Sequence, residues 1–180
     1  IFVTYAFDAI AIAAQALTGQ SLGAGDARAA RAATTLMVRW GMIVGGLAMV
    51  ALILARPWLP GMFTPEKDVQ TVLATALSVV ALSMPATAIF CVLDGVLIGA
   101  GDTRWLAWSM VALLAAYGPV AIGIRWLRPV LVGDDPTSVT GQANGVLWLW
   151  LAFTALMSVR ATVIWLRSRT EHWMRLGSAA

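Results

Sequence analysis

Cys91-Val92-Leu93-Asp94-Gly95-Val96-Leu97-Ile98-Gly99-Ala100-Gly101-Asp102-Thr103-Arg104 closes an apolar run that begins near Val69. One carboxylate, Asp94, sits inside the run. A glycine-rich stop, Gly99-Ala100-Gly101, follows it, and a second acid, Asp102, stands where the next apolar run begins. About 30 such residues make roughly 45 Å of α-helix, more than the ~30 Å hydrocarbon core of a bilayer, so this helix must tilt, bend or protrude. Pro85 inside it removes one backbone hydrogen bond and predicts a kink or a hinge, as does Pro119 beside Gly118 in the following run.

The rest of the chain has the same character. Its 180 residues are 60% hydrophobic and 12% charged, with a mean hydropathy of +0.82, against about 45–50% and about 25% in soluble domains. Nine Trp suit interfacial belts. The single cysteine, Cys91, excludes a disulfide framework, and the single histidine, His172, lies in a hydrophilic tail. No metal site and no cofactor are therefore expected. A net charge of +3 suits membrane-flanking loops better than a nucleic-acid surface. In lipid every backbone polar group must be paired within its own segment, and continuous apolar runs point to helices rather than a barrel. The expected fold is an all-α membrane protein with five spans, over residues 1–19, 36–55, 69–98, 105–127 and 145–166, followed by a basic tail, 167–180. Gly133-Asp134-Asp135-Pro136 reads as a turn before the last span. The chain opens at Ile1 inside an apolar run, which predicts a fragment of a longer protein. Arg28, Arg31, Arg39, Arg104, Arg167, Arg169 and Arg175 gather at one end of the spans, against Arg56, Lys67, Arg125 and Arg128 at the other. That bias puts the C-terminus in the cytoplasm.

The tetrapeptide Gly-Ala-Gly-Asp occurs twice, at 23–26 and 99–102, each time between two spans. Glycine C-caps (Gly23, Gly25, Gly99, Gly101) and aspartate N-caps (Asp26, Asp102) account for both copies. Gly41 with Gly45, and Gly95 with Gly99, form small-xxx-small faces for close helix packing.

Three ionisable residues fall inside apolar runs: Asp8, Asp94 and Arg160. A charge at mid-bilayer costs at least about 2.5–3.5 kcal/mol, so each is a functional candidate. Stepping back from Asp94 along one helical face gives Cys91, Thr87 and Ser83, a polar stripe that wants a cavity or a partner helix. Asp94 reads either as a buried acid tied to a neighbouring helix or as a carboxylate that takes up a proton or cation. Tyr5, Asp8 and Gln15 share a face, and could hold an ion or a cationic solute, or fasten two helices. Arg160 can snorkel to the interface or pair with Asp8 or Asp94.

Residues 8–26, from Asp8-Ala9-Ile10 through Gln15 to Gly23-Ala24-Gly25-Asp26, resemble the end of the eighth helix of multidrug and toxic compound extrusion (MATE) transporters. Leu93-Asp94-Gly95 through Gly99-Ala100-Gly101-Asp102-Thr103 resembles the end of their tenth helix. Asp8, the Leu-Asp-Gly sequence at 93–95 and Arg160 are most similar to the DNA-damage-inducible F (DinF) branch. The resemblance implies twelve helices in two six-helix lobes, of which this chain supplies helices eight to twelve. It also implies alternating-access export of lipophilic, often cationic small molecules against an inward flow of protons or sodium. Asp94 matches the tenth-helix aspartate that members with a sodium site in this lobe use for coupling. Helix seven and the whole first lobe, with its first-helix aspartate, are absent, so the chain alone is not expected to transport. A lipid-linked-precursor flippase relative or a membrane scaffold is the rival reading. A flippase is disfavoured because it should place several basic residues inside its cavity to hold a pyrophosphate, and Arg160 alone is available for that. An enzyme is not expected, since no His, no Glu and no Ser–Lys or Ser–His pair lies in the spans.

Overall fold

The computed structural model describes residues 2–132, 138–170 and 172–174. Six helices follow in order: α1 (Phe2–Gly23), α2 (Ala27–Ala55), α3 (Leu59–Phe63), α4 (Lys67–Gly99), α5 (Thr103–Val132) and α6 (Val139–Arg169). From residue 2 onward, the stretches expected as spans lie in long helices, α1, α2, α4, α5 and α6. Three stretches, Ala27–Ala55, Lys67–Gly99 and Gly141–Arg169, are long and apolar enough to cross a membrane by length and composition. The outer surface agrees with this, for Leu54, Leu82 and Leu114 are 66%, 66% and 71% exposed, which a lipid-facing wall tolerates and a soluble one rarely does. The molecule is an all-α membrane protein.

Two helices start earlier than the hydropathy predicts. α2 begins at Ala27 because the Asp26 side chain accepts a hydrogen bond from Ala29 N (2.8 Å). α6 begins at Val139 because Ser138 Oγ accepts one from Gly141 N (3.0 Å). Hydropathy marks the apolar part of a helix, whereas capping marks its end. The break at 56–61 is likewise more than a loop, since it holds the short α3, with Pro60 in its first turn. The helical assignment of α4 and α5 runs unbroken through Pro85 and Pro119. The expected turn at Gly133-Asp134-Asp135-Pro136, the side chains of Arg125 and Arg128, and Arg175 lie outside the described residues.

The two Gly-Ala-Gly-Asp turns have one geometry. Gly25 and Gly101 take positive φ (76° and 75°). Gly25 N donates to Leu22 O and Asp26 N to Ser21 O, while Gly101 N donates to Ile98 O and Asp102 N to Leu97 O. Both are Schellman caps, and their left-handed residue favours glycine. Asp26→Ala should lower stability by about 1 kcal/mol, while Asp26→Asn, an equally good cap, should leave it nearly unchanged. Thermal melts of the two variants check this, and equal losses would show that charge rather than capping matters.

α4 is the centre of the bundle, with α1, α2 and α6 packed against it and α5 resting mainly on α6. The core lies at the turn end, where Val92, Leu93, Val96 and Leu97 of α4 meet Ala14 and Leu22 of α1, Ala30 of α2 and Ile164 of α6. Glycines set the helix spacing. A Cβ on Gly41 would lie 2.9 Å from Val92 Cγ2, and one on Gly45 would lie 2.9 Å from Pro85 Cα. Pro85 thus sits at the α2–α4 crossing.

Candidate functional site

Asp94 lies on α4, five residues before its end, on the side turned towards α6 and α1. Two neighbours decide its surroundings. From α6, Arg160 Nη2 donates to Asp94 Oδ2, and the two side chains are 12% and 18% exposed. The Arg160 Cζ also lies 5.0 Å from the centroid of Phe90, one turn back on α4, a cation–π distance. Arg160 is thus clamped between an aromatic ring and a carboxylate instead of reaching for the interface. The pair is only partly satisfied: Asp94 Oδ1 and Arg160 Nε are buried and have no hydrogen-bond partner among the described residues.

From α1, the chain approaches so closely that a Cβ on Gly95 would be 2.9 Å from the Ala11 carbonyl carbon, and one on Gly99 would be 2.9 Å from that of Gln15. Gly99 is therefore a packing residue at the end of α4 rather than part of the turn, and the left-handed cap falls to Gly101. This approach brings three polar side chains to one place. Asp8 and Gln15 of α1 line, with Cys91, Asp94 and Gly95 of α4, an open cavity of about 360 Å³. Tyr5, 66% exposed, and the half-buried Thr87 are outside its lining. No three of His, Cys, Asp and Glu cluster among the described residues. The donors facing the cavity are carboxylate and carboxamide oxygens, which suit a proton or a small hard cation.

Asp102 has a role that its capping position hides. Its Oδ2 accepts from Arg167 Nε at 2.8 Å, and Arg167 Cζ lies 5.3 Å over the Trp105 ring. Two ion pairs therefore hold α6 in place, Asp94–Arg160 from α4 and Asp102–Arg167 from the turn between α4 and α5. The separations of eight residues between the acids and seven between the arginines are similar, although Asp102 lies beyond the last residue of α4. The clamping ring of Phe90, four residues before Asp94, is a contact that sequence reading missed.

A bundle of membrane-length helices with an apolar exterior and a buried ion pair facing a cavity defines a multi-pass membrane protein. The chain belongs to the MatE family, whose model matches residues 1–127. It is 25% identical to the probable multidrug resistance protein NorM of Idiomarina loihiensis over 160 residues, 89% of this chain and 33% of that protein. It is 28% identical to DNA damage-inducible protein F of Escherichia coli over 174 residues, 96% of this chain and 34% of that protein. With the chloroplastic protein DETOXIFICATION 44 of Arabidopsis thaliana it shares 29% identity over 175 residues, 96% of this chain and 30% of that protein. The chain spans about a third of the length of these relatives. No solved structure matches.

Proposed function

We propose that this chain is the partial second lobe, helices eight to twelve, of a secondary antiporter that exports lipophilic or cationic small molecules against inward proton or sodium flow. The remaining helices of the parent chain are its first partners, and the bilayer is its setting. The distribution of arginines supports a cell (inner) membrane protein with its C-terminus in the cytoplasm. Family membership and the relatives' names, multidrug resistance and detoxification, support the export reading.

The observation that carries the mechanism is Asp94, with one oxygen on Arg160 and the other without a partner among the described residues, beside a cavity that also holds Asp8. Arg160 is the resident counter-ion. A proton or sodium ion arriving from the cavity competes with it, because a second cation on that carboxylate is repelled by the guanidinium. Loading therefore releases Arg160 and loosens α6 from α4, and unloading restores the pair. Asp8 and Gln15 supply further oxygens on the cavity side, and Tyr5 and Thr87 extend the polar surface along α1 and α4. The test is Asp94→Asn in the intact transporter, assayed for efflux of a lipophilic cation from vesicles carrying a proton or sodium gradient. Efflux should fall to background while the protein still inserts. Unchanged efflux would overturn the assignment.

A further inference from the structure

A second and larger cavity, about 580 Å³, lies on the opposite side of α4, between the first half of α2 and the end of α6. Its volume is within the range of about 300–1,000 Å³ usual for ligand sites. Leu93 and Trp173 form its floor, and both are 1% exposed. Arg31, Arg39 and Arg169 line it, and among the described residues no carboxylate does. The hydroxyl groups beside them are turned to their own helices. Thr34 Oγ1 donates to Ala30 O (2.9 Å), Thr35 Oγ1 to Arg31 O (3.0 Å) and Ser168 Oγ to Trp165 O (2.7 Å). The guanidinium groups of Arg39 and Arg169 are therefore the strong donors the cavity offers an anion. Arg169 stacks with its Cζ 3.9 Å from the Trp165 ring centroid, which orients its plane and leaves its N–H edge available, the arrangement that suits a phosphate. Arg167 takes no part, being bound to Asp102.

The height of the cavity selects the source of that phosphate. α2 has 29 residues, about 44 Å of helix, but its apolar run begins only at Leu36. Its first turns, with Arg31, project beyond the hydrocarbon, and Arg39 stands near the boundary, as does Trp165 at the end of α6. This is the headgroup layer. Met42 and Trp165, 45% and 39% exposed, give the cavity an apolar wall on the membrane side. We propose that this cavity binds the headgroup phosphate of an anionic phospholipid, with the acyl chains descending along α2 past Met42. Basic pockets between membrane helices hold such headgroups, and each arginine near the surface is worth about fivefold in attraction to an anionic lipid.

The intact transporter in neutral detergent supplies the test. Its Tm is followed as dioleoyl-phosphatidylglycerol, dioleoyl-phosphatidylcholine or sodium phosphate is added. Phosphatidylglycerol should raise Tm by a few degrees, and the other two should not. In Arg39→Gln/Arg169→Gln the phosphatidylglycerol concentration giving half the rise should increase about 30-fold. An equal rise with phosphatidylcholine, an equal rise with free phosphate, or an undiminished response in the variant each overturns the proposal. Should the double variant fail to fold, native mass spectrometry of the unmodified protein from an equimolar mixture of the two lipids decides. Preferential retention of phosphatidylglycerol supports the site, and retention in the mixing ratio overturns it.

Discussion

Arg160→Ala should lower the stability of the intact protein by about 3–5 kcal/mol, and adding Asp94→Asn should recover most of that loss. Truncating one member of a buried ion pair leaves the other charge uncompensated, which is the larger part of such a penalty. Here the charge left behind is a carboxylate 18% exposed, one of whose oxygens has no hydrogen-bond partner among the described residues even in the intact pair. Asparagine removes the charge and keeps the shape. The reverse order should hurt less. With Asp94→Asn alone, Arg160 retains its place over Phe90 and has a long stem with which to reach the interface, so the variant inserts even though efflux is lost. Arg160→Lys should fall between wild type and Arg160→Ala, since it keeps the charge but loses the planar group that stacks on the ring. A double-mutant cycle from thermal or denaturant unfolding measures the coupling. Losses that simply add would show that the two residues do not stabilise one another, and would also remove Arg160 as the counter-ion that a coupling cation displaces.

The helices were legible because hydropathy and length constrain a membrane segment so strongly: from residue 2 onward the expected apolar runs lie in long helices. Their ends were less so. Asp26 marks the start of α2 as a cap, but the polar first turn of α6 looks like loop until Ser138 is seen to cap it, and α3 is too short for any periodicity to mark it. Within the site, a charge in an apolar run announces itself, so Asp8, Asp94 and Arg160 stood out. Their connections did not. Arg160 had two acids to choose from, and the choice of Asp94 depends on the register of α6 against α4, which no single helix encodes. Asp102 reads as a cap from its place behind a glycine turn, whereas the bond its side chain accepts from Arg167 is a long-range fact. Tyr5 and Thr87 share helical faces with Asp8 and Asp94, yet the cavity lining stops short of both. A helical face is wider than the opening that two packed helices leave.

What brings Asp8 and Gln15 to Asp94 is the absence of two side chains, and that makes Gly99→Val the other large effect to expect. A Cβ at Gly99 would come within 2.9 Å of the Gln15 carbonyl carbon, and one at Gly95 within 2.9 Å of that of Ala11. In each case the obstacle is backbone, which cannot swing aside as a side-chain terminus can. α1 must move bodily off α4, at a cost of about 3 kcal/mol, the upper end of the usual range for overpacking. The displacement also withdraws Gln15 and Asp8 from the cavity, so efflux should fall even where enough folded protein survives to assay. Gly46→Ala is the matching control. A Cβ there meets nothing within 4 Å, and the change should stabilise α2 by about 0.5–1 kcal/mol through helix propensity alone. If Gly99→Val melts with the wild type while Gly46→Ala behaves as expected, α1 and α4 are not in backbone contact at this level. The cavity between them would then owe its polar lining to something other than these glycines.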